Sequence, residues 1–207
     1  MQAPAQYELF TAAFVRGRAL QDGAPPGAPG LPLHYFKRVP LLPRIQWALG
    51  VLRSLQPANL LDIGSGRGKF LWPLLDTFPF LEVTAVDTDQ RRVRDLEAVH
   101  MGGIERLTVH QADAARLPFV DRAFDVVTLL EVLEHIPAPA IATSEAVRVA
   151  RRCLLISAPS KPDNNPEHIH LFTEGDLRAL LAGAGVTEVK VQQAPDHWLV
   201  LAHVTRG

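Results

Sequence analysis

Three histidines and two glutamates with chemical potential lie in two short stretches of this chain. Glu131-Val132-Leu133-Glu134-His135 follows an apolar run, and His168 and His170 lie within Asn164-Asn165-Pro166-Glu167-His168-Ile169-His170. Imidazoles titrate near neutrality, so His135, His168 and His170 are candidates for taking a proton from a nucleophile. Glu131 joins them as a candidate catalytic carboxylate. The i, i+3, i+4 spacing of Glu131, Glu134 and His135 permits a shared helix face. With His170 from the later loop, two carboxylates and two imidazoles could then hold a divalent ion such as Mg2+ or Mn2+ and activate a hydroxyl. The plainer alternative has Glu131 lining a cofactor pocket while Glu134 and His135 cap a helix or fasten the loop. Spacing alone leaves both open.

A second constellation is Leu60-Leu61-Asp62-Ile63-Gly64-Ser65-Gly66-Arg67-Gly68. A hydrophobic strand runs into a turn with three glycines, where the absent Cβ lets the chain turn sharply and a ligand approach the backbone. A dinucleotide fingerprint would need its third glycine at position 69, which is Lys69. The observed G-x-G-x-G, with Asp62 two positions before it, has no pyrophosphate to cradle and suits a ligand bearing an ammonium group. Asp87 lies 23 residues after Gly64, close to the ~20-residue spacing of an acid that grips a ribose diol. Asp113-Ala114 follows the next apolar run, where an acid beside a small residue could bond an adenine amino group and let the ring lie flat.

Elements must deliver these residues to one place. Apolar runs at Leu60–Ile63, Val83–Val86, Leu107–His110, Val126–Leu130 and Cys153–Ser157 read as strands, with helices at Lys69–Thr77, Gln90–His100 and Ala138–Arg148. Such alternation implies right-handed crossovers and a mostly parallel α/β sheet covered on both faces. After a helix at Glu174–Ala184, Glu188–Gln192 and Trp198–Val204 are separated by a few residues around Pro195. So short a connection can only join antiparallel strands. Ligands in open α/β sheets lie beyond the carboxyl ends of the strands, which places Glu131 to His135 and the 157–170 loop at the reacting edge. Upstream, residues 6–20 read as a helix with Phe10 and Phe14 on one side. A loop rich in proline and glycine follows from Gln21 to Pro32, and a second helix covers Arg44–Leu55.

Taken in order, the Asp62-x-Gly-x-Gly-x-Gly68 turn, Val86-Asp87, Ala112-Asp113-Ala114 with Leu117-Pro118-Phe119, and Phe124-Asp125-Val126-Val127 resemble class I S-adenosylmethionine-dependent methyltransferases over about residues 37–204. The resemblance implies a Rossmann-like, doubly wound, seven-stranded sheet whose last strand is antiparallel. It also implies S-adenosyl-L-methionine as cofactor, with Gly64, Ser65, Gly66 and Gly68 on its methionine part, Asp87 on the ribose, and Asp113 with Ala114 on the adenine. Asp62, Thr88, Leu130 and Glu131 complete the expected contact set. Tyr35 and Arg38 of the arm stand where related enzymes place a lid and could reach the methionine carboxylate, although a solvated basic turn serves equally well. The organisation expected is an N-terminal helical arm over residues 1–36, acting as a lid, ahead of a cofactor-binding domain over 37–207. Removal of residues 1–30 should on this view leave a folded domain that binds cofactor. The Glu-x-x-Glu-His pattern is also similar to the metal site of small-RNA terminal 2′-O-methyltransferases and to a related pattern in ubiquinone-pathway O-methyltransferases.

Composition sets the outer limits. Hydrophobic residues at 47% and charged residues at 21% describe an ordinary globular chain. No run approaches the ~20 apolar residues that cross a bilayer, so no membrane association is expected. The absence of an apolar leader and the single Cys153, in an apolar run, fit a cytoplasmic protein. Residues 1–58 hold six Arg/Lys against two Asp/Glu, a balance of +4, and residues 59–207 hold fifteen against twenty, a balance of −5. An acidic main domain disfavours nucleic acid as acceptor without ruling it out, and favours a small-molecule acceptor handled by a monomer or homodimer. Metal-assisted methylation of a ribose or catechol diol is the competing reading. A nicotinamide-dependent oxidoreductase on the same glycine loop and a non-catalytic binding protein are more distant ones.

Overall fold

The computed structural model describes residues 6–23, 30–38 and 41–204. Residues 24–29, the centre of the proline- and glycine-rich stretch, lie outside the described residues. Seven strands form one sheet: β1 (Asn59–Ile63), β2 (Glu82–Asp87), β3 (Leu107–Gln111), β4 (Phe124–Leu130), β5 (Ala150–Pro159), β6 (Glu188–Ala194) and β7 (His197–His203), in the order β3-β2-β1-β4-β5-β7-β6. β1 to β5 pair in parallel, and β7 runs antiparallel to both β5 and β6. The strand order reverses between β1 and β4, whose carboxyl ends therefore flank the crevice where such sheets bind ligands.

The central strands carry apolar residues that point alternately to two cores. Leu60, Val126 and Leu155 join one core, while Leu61, Val127 and Leu154 join the other. Helices α1 (Glu8–Asp22), α2 (Pro43–Leu55), α3 (Leu71–Thr77) and α4 (Gln90–Met101) supply the first core; α5 (Pro139–Val149) and α6 (Glu174–Gly183) supply the second. Their starts follow local chemistry. Asp89 accepts the Arg91 amide at the head of α4, and Thr173 with Asp176 forms a capping box at the head of α6. α3 begins at Leu71 rather than Lys69, with Phe70 as its N-cap residue.

The N-terminal helix is present, but its aromatic face is built into the core. Tyr7, Phe10 and Phe14 are buried in one cluster with Phe36, Leu71 and Trp72. What allows this is a close crossing of α1 over α4. A Cβ on Gly17 would lie 1.7 Å from the Ala98 carbonyl oxygen, and one on Gly102 would lie 1.8 Å from that of Ala13. Arg16 then donates to the Gly102 carbonyl from Nε at 3.0 Å and Nη2 at 2.6 Å, satisfying the end of α4. The arm and the domain thus share one interior. The expectation that the arm can be cut away from a folded remainder runs against this shared interior.

Deletion of residues 1–30 should therefore abolish cooperative thermal unfolding. Gly17→Val should strongly destabilise the chain, because the obstacle is rigid backbone. Phe14→Ala should cost about 3–5 kcal/mol in a denaturant titration. A truncated chain that melts like the parent would show that the arm is a separable lid.

Candidate functional site

The loop after β1 alternates between ordinary and left-handed backbone. Gly64, Gly66 and Gly68 have φ of 71°, 57° and 78°, values that side chains resist. A Cβ at 64 would meet Val132 at 2.7 Å, and one at 68 would meet the Trp72 indole at 2.2 Å, whereas one at 66 would find nothing closer than 3.7 Å. Two glycines are therefore fixed by close packing, and the third presents an open backbone face. The amides of Gly64 and Ser65 donate to the Val86 carbonyl at 2.8 and 3.2 Å. Gly66 N–H donates to Asp87 Oδ2 at 2.8 Å, and Asp89 N–H to Asp87 Oδ1 at 2.9 Å. Each oxygen of the buried Asp87 keeps a further lone pair, as a diol acceptor requires.

Asp62 sits beneath the loop. Its Oδ2 accepts the Ser65 hydroxyl and its Oδ1 the Thr128 hydroxyl, both at 2.7 Å. Complete burial pushes its carboxyl up to about 6, against the opposing pull of those two hydroxyls. Asp62 is thus a brace joining β1, β4 and the glycine turn, with both oxygens already bonded. The hydroxyl of Thr128, invisible as a signal in an apolar strand, is the partner that sequence reading missed.

The carboxyl end of β4 carries the second polar group. Glu131 is left-handed at φ of 60° although it is not glycine, a strain of the kind that collects at functional sites. Its Oε1 accepts the Ser157 hydroxyl at 2.8 Å, its Oε2 meets His197 Nε2 at 2.9 Å, and Arg44 Nε stands 3.8 Å from Oε1. His197 opens β7 opposite Pro159, and its Nδ1 meets the Pro195 carbonyl at 3.0 Å. Because β7 is antiparallel, its first residue arrives at the edge where the parallel strands end. Neither His197 nor Arg44 was legible in the sequence as part of this group.

Residues 61–153 match the family model described as a methyltransferase domain. A malonyl-[acyl-carrier protein] O-methyltransferase from Geobacter sulfurreducens is 29% identical over 158 residues, which are 67% of this chain and 59% of that protein. Ribosomal RNA small subunit methyltransferase G from Geobacillus thermodenitrificans is 29% identical over 144 residues, 68% of this chain and 57% of that protein. A solved SAM-dependent methyltransferase from Aquifex aeolicus shares the fold, with a TM-score of 0.66 at 22% identity over 80% of this chain and 91% of that one. The matched domain, these relatives and the shared fold support a class I S-adenosylmethionine-dependent methyltransferase. It spans between 42% and 59% of the length of the curated relatives it first matches.

In this chain, Asp62, Gly64, Ser65, Gly66, Gly68, Asp87, Thr88, Leu130 and Glu131 lie at or just beyond the carboxyl ends of β1, β2 and β4. Asp113 is exposed and caps the Ala115 amide at 2.8 Å beyond β3, next to the buried Ala114. Tyr35 borders a cavity of about 190 Å³ together with Gly66, Arg67 and Trp72. The Arg67 guanidinium lies 5.4 Å from the Tyr35 ring centre, and Arg67, Arg91 and Arg92 are the cations lining this cavity. Arg38 is not among them: its guanidinium is bonded to both Asp76 oxygens at 3.0 Å and lies over the Tyr7 ring. A larger groove of about 540 Å³ runs between α5 and α6, away from the glycine loop.

The expected metal set of Glu131, Glu134, His135 and His170 does not converge. Only Leu133–His135 is helical, as a single 3₁₀ turn, so i, i+3, i+4 on one α-helical face never forms. Glu131 turns to Ser157 and His197, and His170 Nε2 bonds the Ile136 carbonyl at 3.0 Å. Of the histidines once grouped as bases, His135 donates from Nδ1 to the Glu167 carbonyl, and His168 pairs through Nδ1 with Asp163, both at 2.9 Å. Glu134 is fully buried, and its carboxyl is pushed up to about 8 by desolvation and by the Glu131 carboxylate.

Asp62 gives a pH signature. Its raised carboxyl stabilises the fold fully only below the ordinary carboxylate range, and the contribution is lost as pH rises through about 6. Between pH 4 and 7 the parent should lose roughly 2 kcal/mol relative to Asp62→Asn in urea titrations. Parallel pH profiles for the two chains would refute this placement of the charge.

Proposed function

We propose that this chain transfers a methyl group from S-adenosylmethionine to a small-molecule acceptor at the carboxyl edge beside Glu131. The observation that carries the reading is the open backbone face at Gly66, tied to a buried Asp87 with two lone pairs to offer. Gly64, Ser65, Gly66 and Gly68 would lie along the methionine part, and Asp87 would accept the ribose hydroxyls. Thr88, Asp113 and Ala114 would border the adenine, while Tyr35 and Arg67 would close the arm side. The bound cofactor supplies a methyl on a positively charged sulfur that a nucleophile displaces in line. The chain's share of the work is then alignment, exclusion of water and removal of a proton. Glu131, fixed by Ser157 and His197, is the carboxylate positioned to take that proton, with Arg44 holding it at the edge.

Several observations favour a small acceptor. The domain beyond residue 58 carries a balance of −5, which repels a polyanion. The malonyl-[acyl-carrier protein] O-methyltransferase is a relative by sequence, although a ribosomal RNA methyltransferase is one too. No helix among the described residues is long and apolar enough to cross a membrane. The buried, unpaired thiol of Cys153 fits a reducing, cytoplasmic setting.

Calorimetry with S-adenosylhomocysteine should show binding to the parent and a loss of at least ~10-fold for Asp87→Ala, since a hydrogen bond to a charged group is worth about 1.5–3 kcal/mol. With a tritiated methyl donor, label should appear in a small-molecule pool rather than in total RNA. Glu131→Gln should lower turnover ~10²–10⁴-fold with cofactor affinity retained. Label confined to RNA would overturn the acceptor class, and absence of cofactor binding would overturn the whole reading.

A further inference from the structure

We propose that Glu134, His135 and His168 bind a divalent transition-metal ion that clasps the loop around residues 163–170 to the turn after β4. The proposal stands on these residues alone and does not depend on the methyl-transfer reading. One ligand atom from each of the three lies within 4.8 Å of the others. Glu134 has 0% of its surface exposed, and neither of its carboxylate oxygens finds a hydrogen-bond partner among the described residues. A buried carboxylate left without partners is costly, and such groups are normally paired or coordinate a metal.

The histidines are prepared in the way metal ligands are. His135 directs Nδ1 at the Glu167 carbonyl oxygen and His168 directs Nδ1 at the Asp163 carboxylate, each at 2.9 Å. Those acceptors fix the proton on Nδ1 and leave the Nε2 lone pair of each ring for a ligand. A carbonyl or carboxylate behind a ligating imidazole is the usual outer support of such sites. The two rings lie 4.8 Å apart, edge to face. Four-coordinate ligands at about 2.0–2.2 Å from an ion stand roughly 3.3–3.6 Å from one another. Closing the set thus needs a movement of about an ångström by two half-buried rings.

Two neutral imidazoles and one carboxylate suit Zn2+, Co2+, Fe2+ or Mn2+ better than the oxygen-seeking Mg2+. The set also differs from the one expected from spacing, since Glu131 and His170 are bonded elsewhere. The backbone supports the clasp. Ile169 and His170 amides both donate to the Glu134 carbonyl, at 2.9 and 3.2 Å. An ion would add a side-chain lock to a loop already stitched to this turn.

The test uses the full chain stripped with a chelator and titrated with Zn2+ and, for its visible absorption, Co2+. One ion per chain should bind, and the thermal midpoint should rise by about 5–10 °C at a hundred times Kd. Co2+ should show d–d bands of a nitrogen- and oxygen-ligated site. Glu134→Gln and His168→Gln should each abolish the shift and the bands. Asp163→Asn, on an exposed carboxylate, should weaken binding ~10–100-fold without touching a ligand. No midpoint shift with either ion would overturn the proposal. So would equal binding by the parent and all three variants, which would mean an adventitious site elsewhere.

Discussion

The hydrogen bond from Gly66 N–H to the buried Asp87 carboxylate fastens the glycine turn after β1 to the end of β2, the strand that β1 pairs with. β1 must end where it does, the chain must enter left-handed backbone three times, and β2 must deliver an acid beside the turn. Asp62 underpins the same junction by holding Ser65 and Thr128 at once. Neighbouring atoms leave no room for side chains at Gly64 and Gly68, so the loop has a single way to fold. The energetic consequence is a buried acid that opposes stability at neutral pH and is tolerated because it fixes the loop.

The same edge gains its second polar group from the sheet's one reversal. A purely parallel sheet would present only strand ends at that edge. The antiparallel β7 brings a strand start there, and with it His197 against Glu131. Arg44, at the head of α2, reaches Glu131 of the pair, with Nε 3.8 Å from Oε1. This polar group thus depends on elements more than sixty residues apart in sequence.

That distance explains what the sequence showed and what it hid. The strands were legible because buried parallel strands are continuous apolar runs, and β7 because a connection of a few residues around Pro195 allows only a hairpin. The glycine turn and Asp87 were legible because backbone geometry demands particular residue types at particular spacings. The docking of α1 was not. Its decisive residues are Ala13, Gly17, Ala98 and Gly102, whose smallness gives no hydrophobic signal, while the aromatics beside them suggested a face waiting for a partner. The Glu-x-x-Glu-His spacing misled for a related reason: it presumes a helix, and Glu131 at positive φ prevents one. His168, two residues from the expected His170, points inward because Asp163 holds it.

The measurement that bears most directly on the account is a crystal structure of the full chain grown with S-adenosylhomocysteine. The account predicts the ligand across the open face of Gly66, with both ribose hydroxyls within hydrogen-bond distance of Asp87 and the sulfur turned toward Glu131. A ligand seated elsewhere, or a ribose held by other groups while Asp87 bonds only the loop amides, would contradict it.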